Sequence, residues 1–336
     1  MSKTKTLAPP QRNQAIDALR GIACIFVLLV HVTLPGSVGI YVKALARFAV
    51  PFFLMNSGWY AWTGFADSEI SGVKRQFKKI LRLTGIVCLL HIIGNTITAL
   101  VGGGSAISWI IPHWKWETLK NFLLFNRAKV FSSVVYYFFM LLYAYPVFLL
   151  FLAGKKRLGK GVAVCVKVAI PVLLGANLYI SEFHSMEWYY AGNWLLTAVP
   201  FLFLGYFLRE WVQTHKRVSL KVDLALMAAG IVLTFVEIPR GGDNVYLYIG
   251  TIITVVPLYH FAVHYSGYVP TFLARFGKAY SSKIFIVHCM VYNLLCAIIG
   301  DAAKQEPLQW FVPAIVAAIS LLLAMLSNLV PLKNKK

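Results

Sequence analysis

Long apolar runs, separated by short polar or glycine-containing turns, recur along the whole chain, and their length is the first guide to architecture. Mainly apolar stretches lie at about 15–35, 40–64, 80–102, 131–153, 161–180, 190–209, 221–238, 245–266, 280–300 and 309–331. About 20 helical residues, rising 1.5 Å each, cross a hydrocarbon layer of about 30 Å. Each run therefore predicts one transmembrane helix. The expected fold class is all-α, a polytopic membrane helix bundle of about ten transmembrane helices. A single transmembrane domain over 15–331 is expected, with a polar lead at 1–14 and a short tail at 332–336.

Composition supports this and excludes a soluble domain: 59% of the 336 residues are hydrophobic and 13% charged, with a mean hydropathy of +0.70, outside the usual range of soluble globular chains. Charge adds direction. With the N-terminus placed inside, the inner segments hold Lys3, Lys5, Arg12, Lys74, Arg75, Lys78, Lys79, Arg82, Lys155, Lys156, Arg157 and Lys160. They also hold Arg209, Lys216, Arg217, Lys221, Arg275, Lys278, Lys283, Lys333, Lys335 and Lys336, 22 basic residues in all. The outer loops hold six: Lys115, Lys120, Arg127, Lys129, Arg240 and Lys304. That asymmetry follows the positive-inside rule with both termini cytoplasmic. The net charge of +20 is thereby assigned to topology; no contiguous basic domain marks a nucleic-acid partner. Cys24, Cys88, Cys165, Cys289 and Cys296 sit in hydrophobic runs without ligand or disulfide spacing, so free core thiols and no metal are expected. The lead has no apolar core or cleavage site of its own, so the first helix is expected to be retained.

Ionisable residues inside spans are costly and ordinarily face a bundle interior or a wet cavity. The first run, RNQAIDALRGIACIFVLLVHVTLP, carries Asp17, Arg20 and His31. Arg20 and His31 are eleven residues apart, which places them within about 20° on one helix face and roughly 16 Å apart along the axis. Two stations of one site are expected, with Asp17 as structural support for Arg20 at i, i+3. In the second run Pro51 predicts a kink, and Arg47, Asn56 and Ser57 stand near it. Either the freed backbone lines a cavity, or Ser57 and Gly58 permit close helix packing. The cluster Lys74, Arg75, Lys78, Lys79 and Arg82 suits lipid headgroups or the phosphates of a ligand.

The segment 103–130 predicts a short surface helix with Leu119, Phe122, Leu123 and Phe125 on its apolar side. His113 among Trp109, Trp114 and Trp116 offers either membrane anchoring or a sugar contact. Glu182, His184 and Glu187 hint at a polar acceptor site without metal spacing. His260 and His264 have ligand-like i, i+4 spacing but no carboxylate nearby in sequence, which favours packing. His288 is a second histidine within a span. No Walker loop, GxSxG elbow or HExxH helix occurs.

Taken together these stretches resemble the acyltransferase 3 family of bacterial ten-helix membrane proteins. IDALRGIACIFVLLVH matches its signature of a basic residue, ten residues and a histidine; VPFFLMNSGW matches its Val-Pro-Phe-Phe segment. KILR, Lys79 to Arg82, is similar to an Arg-x-x-Arg motif with lysine first, and SSKIFIVH, ending at His288, to a late-helix motif. Where many members read His-Leu-Trp at the start of the fourth span, this chain reads SSVVYYFFMLLYAYP, so Tyr136 or Tyr137 is expected to take over that contact. The resemblance implies transfer of an acyl group, most often acetyl, from cytoplasmic acyl-CoA to a hydroxyl or amine of a surface glycan or its lipid-linked precursor, in a bacterial cytoplasmic membrane. Acetyl-CoA would then be a donor substrate rather than a resident cofactor. His31 would act as base or transient acyl carrier, and Arg20, Lys79, Arg82 and Arg47 would receive acyl-CoA. Asn56, Ser57, Tyr136, Tyr137 and His288 would meet the acceptor or the oxyanion. A proton-coupled transporter or a flippase would use the same buried charges without this chemistry.

Overall fold

In hydrocarbon every backbone N–H and C=O must be satisfied within its own segment, so each apolar run folds as helix. The structure, a computed structural model, describes residues 13–128, 130–183, 188–241 and 245–329. Its helices are α1 (Gln14–His31), α2 (Gly36–Ala46), α3 (Ala49–Trp59), α4 (Ala66–Val101), α5 (Trp116–Phe125) and α6 (Tyr136–Leu158). They continue with α7 (Lys160–Leu178), α8 (Val199–Thr214), α9 (Leu220–Gly241), α10 (Ile249–His264), α11 (Thr271–Ile299) and α12 (Val312–Leu329). No strand occurs among the described residues. Eight segments there are long and apolar enough to cross a membrane, counting α2 with α3, and two shorter apolar helices, Ile249–His264 and Val312–Asn328, occupy the remaining runs. The protein is a multi-pass membrane helix bundle. Residues 1–12 of the lead, the tail, Lys129, His184 and Glu187 lie outside the described residues, as does the side chain of Glu182.

Helix boundaries depart from the apolar runs where charge and helicity coexist. α4 begins at Ala66 and α11 at Thr271, 14 and 9 residues before the expected starts of 80 and 280. Lysine and arginine are good helix formers. On α4, Lys74, Arg75, Lys78, Lys79 and Arg82 occupy an exposed face, while Val73, Thr84 and Val87 are buried on another.

The second run breaks between α2 and α3, and the cause is local. A proline ring clashes with the carbonyl four residues earlier, which for Pro51 is that of Arg47. The chain there tightens into i→i−3 bonds, Arg47 N–H to Ala44 O at 3.2 Å and Phe48 N–H to Leu45 O at 3.5 Å.

Contact registers fix the relative direction of the helices. Along α1 and α11 partners ascend together, Cys24 with Ser281 and His31 with His288, so these helices are parallel. So are α3 and α8, whose Gly58 and Gly205 mark one crossing and whose partners beyond it towards both C-terminal ends, Trp59 and Arg209, meet at 3.1 Å. Along α9 and α10 the partners run oppositely, Asp223 with His260 and Glu237 with Ile249. First and ninth spans parallel, second and sixth parallel, seventh and eighth antiparallel: this is the pattern of a chain that reverses at every crossing. It gathers Lys74–Arg82, Lys155–Lys160, Arg209–Lys221 and Arg275–Lys283 at one end of the bundle.

A candidate active site around His31

Membrane helices have little hydrophobic drive to associate, and small residues at crossings let backbones approach closely. α1 and α11 use Gly21 and Gly277: a side chain at Gly277 would collide with the Asp17 carbonyl. One turn on, Cys24 Sγ lies 3.0 Å from the Ser281 carbonyl oxygen. This contact sets both stations against α11.

At the first station Arg20 pairs with buried Asp17 at 3.3 Å and donates to Ser282 Oγ at 3.1 Å. At the second, the His31 and His288 ring centroids are 5.4 Å apart. His31 Nδ1 lies 3.3 Å from Ser133 Oγ, in the turn leading to α6. His288 Nδ1 donates to the Ile284 carbonyl at 3.1 Å, and its buried Nε2 has no hydrogen-bond partner. The second orphan of this kind nearby is Nδ1 of His91, whose Nε2 donates to the Ile286 carbonyl at 3.0 Å and ties α4 to α11.

His31 opens into a cavity of about 300 Å³ whose polar lining is His31, Lys43, Arg47, Ser133, Tyr136 and Tyr246. Arg47 enters because Pro51 breaks the helix there. Its guanidinium lies 5.7 Å from the Tyr246 ring centre, and the Tyr246 and Tyr136 hydroxyls are 3.4 Å apart. Among the described residues the lining carries two cations and no carboxylate, which favours an anionic or strongly polarised guest.

Phe285 forms part of the cavity wall and begins an aromatic layer between the stations. Its ring stands 5.3 Å from Tyr137 and 6.0 Å from Phe53. Tyr137 thus belongs to the layer, while Tyr136 alone of the expected pair lines the cavity. Asn56 and Ser57 are not brought to His31 either. Asn56 accepts from Tyr259 Oη at 3.1 Å. Ser57 donates to the Phe53 carbonyl at 3.2 Å and interacts with the Tyr137 and Tyr145 hydroxyls. Tyr137 and Tyr259 both lie within electrostatic range of Arg20, so Asn56 and Ser57 group with the first station. Gly58 packs against the Leu202 carbonyl of α8, so this part of the run also serves close packing.

Lys79 and Arg82 line an open groove of about 670 Å³ with Lys74, Arg75 and Lys78. That groove shares no lining residue with the His31 cavity. A third hollow, of about 450 Å³, is formed by His113, Trp114, Trp116, Leu119 and Phe122 with their neighbours. α5 exposes Leu119 and Leu123, but Phe122 and Phe125 turn inward onto Phe139 and Tyr190. His260 receives its carboxylate from another helix, with Nδ1 2.7 Å from Asp223 Oδ2.

Ser133 and Tyr246 line the cavity and Cys289 Sγ lies 3.5 Å from Ser133 Oγ just behind it; the sequence singled out none of the three for the candidate site. Cys289 could have been found from its position next to His288, and Ser133 from the unusual SSVVYY stretch. Neither a curated protein nor a solved structure matches the chain. The family described as an acyltransferase domain matches residues 13–327, nearly the whole length.

Proposed function

Because the chain belongs to the acyltransferase 3 family, and is therefore a membrane acyltransferase, we propose that it moves an acetyl or other short acyl group from acyl-CoA to a hydroxyl of a surface glycan or its lipid-linked precursor. The observation that carries this reading is that His31 and Arg47 face one cavity, whose described lining includes a second cation, Lys43. Acyl transfer needs a base for the acceptor and a positive group for the oxyanion.

In this proposal the CoA phosphates dock at the basic end, with Arg20 as the innermost cation and Lys79 and Arg82 drawing the donor in from the surface. The pantetheine arm passes the layer of Phe53, Tyr137 and Phe285 and delivers the thioester to the cavity. With Nδ1–H donated to Ser133 Oγ, His31 Nε2 takes the acceptor proton as the hydroxyl oxygen attacks the thioester carbonyl. Arg47 and Tyr136 stabilise the oxyanion. The C–S bond then breaks, and the CoA sulfur leaves with the proton carried by His31. A transient acyl-His31 would use the same nitrogen and the same cavity.

The basic end is proposed to be cytoplasmic, in keeping with the positive-inside rule, which sets His31 towards the outer leaflet of a bacterial inner membrane. The hollow beside Trp114 and Trp116 lies on that outer side. The test is acyl transfer in membranes carrying single variants. His31→Ala is expected to lose about 10²–10⁴-fold in turnover, and Arg20→Ala to raise KM for acyl-CoA with a smaller change in kcat. Near-normal turnover in the first would overturn the base role; an unchanged KM in the second would overturn the docking role.

A further inference from the structure

We propose that His31, His288 and Cys289 form a binding site for a borderline-soft divalent cation, Zn²⁺ being the best fit. The ligand atoms of these three residues all lie within 4.8 Å of one another, and they are the one such group among the described residues. Four-coordinate zinc holds nitrogen at 2.0–2.1 Å and sulfur at 2.3 Å, which places neighbouring ligand atoms about 3.3–3.6 Å apart. Side-chain rotations of roughly 1 Å therefore close the site around the ion.

Three features point to a ligand rather than to accidental proximity. First, His288 is fully buried, and its Nε2 has no hydrogen-bond partner. His91 Nδ1 and His260 Nε2 are orphaned likewise, but only the His288 nitrogen stands in a group of three ligand atoms among the described residues. Second, the other nitrogen of the same ring donates to the Ile284 carbonyl, the outer-shell bond that metal-ligating histidines commonly make. His31 repeats the arrangement with Ser133. Third, the donor set of two imidazoles and one thiol leaves a fourth position for water, supplied through the cavity that His31 lines.

Linear spacing hides the set, because His31 and His288 are 257 positions apart in the chain. Lys43 and Arg47 on the cavity wall repel cations, and the thiolate offsets part of that repulsion. Selection thus falls to the ion's softness: Zn²⁺, Co²⁺ and Cd²⁺ bind, and Mg²⁺ and Ca²⁺ do not. On binding, the Cys289 thiol gives its proton to water, Sγ and two ring nitrogens coordinate the ion, and nothing is oxidised.

The consequence for catalysis rests on the reading of His31 as the base. A coordinated His31 nitrogen has no lone pair for the acceptor proton, so zinc occupancy and acyl transfer exclude one another, and micromolar zinc acts as a reversible inhibitor.

Purified full-length protein is titrated with Co²⁺ and followed by absorbance. The expected result is a thiolate-to-cobalt charge-transfer band that Zn²⁺ removes and Mg²⁺ leaves unchanged. The band is lost in Cys289→Ser and in His288→Gln, each checked for folding by thermal melting. In a parallel assay, zinc inhibition of acyl-CoA turnover is reversed by chelator and weakened at least tenfold in Cys289→Ser. Absence of the band in wild-type protein, or its persistence in both folded variants, overturns the site. A band that behaves as expected in protein with no acyl-CoA turnover supports the site and overturns the assigned reaction instead.

Discussion

Asp17, Glu69, Asp223 and Glu237 are carboxylates buried within the bundle, and each has a structural partner. Glu69 accepts from the Thr63 and Gly64 amides and from Tyr206 Oη, which in turn accepts from Lys155 Nζ at 2.7 Å. Glu237 accepts from the Ile249 and Gly250 amides at the start of α10, where helix N–H groups lack intrahelical partners. With Asp17 on Arg20 and Asp223 on His260, His31 remains the base candidate facing the cavity. Truncating one member of a buried ionisable pair leaves the other uncompensated, at about 3–5 kcal/mol. His260→Ala should accordingly lower the melting temperature markedly while the folded fraction keeps its specific activity; a melting curve beside a turnover assay checks both. Arg47→Ala should lower kcat by about 10²–10³-fold, the usual cost of removing one oxyanion group, and leave the melting temperature nearly unchanged. His31 and Arg20 were legible in the sequence because an ionisable group in an apolar run is conspicuous. Ser133, Tyr246 and Cys289 were not, since a serine, tyrosine or cysteine in such a run is ordinary and only tertiary contact gives it a role. Asn56 and Ser57 stand near Arg47 in sequence, but nine or ten helical residues carry them roughly 14 Å from it, and neither lines the His31 cavity.

Helices in this bundle are positioned by close crossings and one break. Gly277 admits the backbone of α1, and Gly205 admits the Met55 carbonyl of α3. Gly277→Leu should force α1 from α11, separating Arg20 from Ser282 and His31 from His288, with loss of monodisperse protein on size exclusion. Gly175→Leu, which meets nothing within 4 Å, should elute as wild type. Equal behaviour of the two would show that the crossing is not what holds the stations together. Pro51→Ala should let α2 and α3 join, swing Arg47 out of the cavity and reduce turnover without destabilising the fold. The break was readable from Pro51 alone, because the clash is local. The early starts of α4 and α11 were not, because apolarity reports burial in lipid, and a helix continues beyond lipid when charged residues can face solvent.

Across the whole molecule, the alternation of helix direction turns a list of charges into a polarised object, basic at one end and with the His31 cavity towards the other. Sidedness can be read directly with a membrane-impermeant thiol reagent in a background freed of the native cysteines. Trp114→Cys should label in intact cells and Lys79→Cys only after permeabilisation; the reverse pattern would invert the proposed orientation. The central claim, that the His31 cavity is the place of acyl transfer, is tested most directly by incubating purified protein in liposomes with radiolabelled acetyl-CoA and measuring free CoA released, wild type against His31→Ala. The account predicts slow release by the wild type, with label passing to water or protein, and none above background in the variant. Equal release by the two proteins would contradict it.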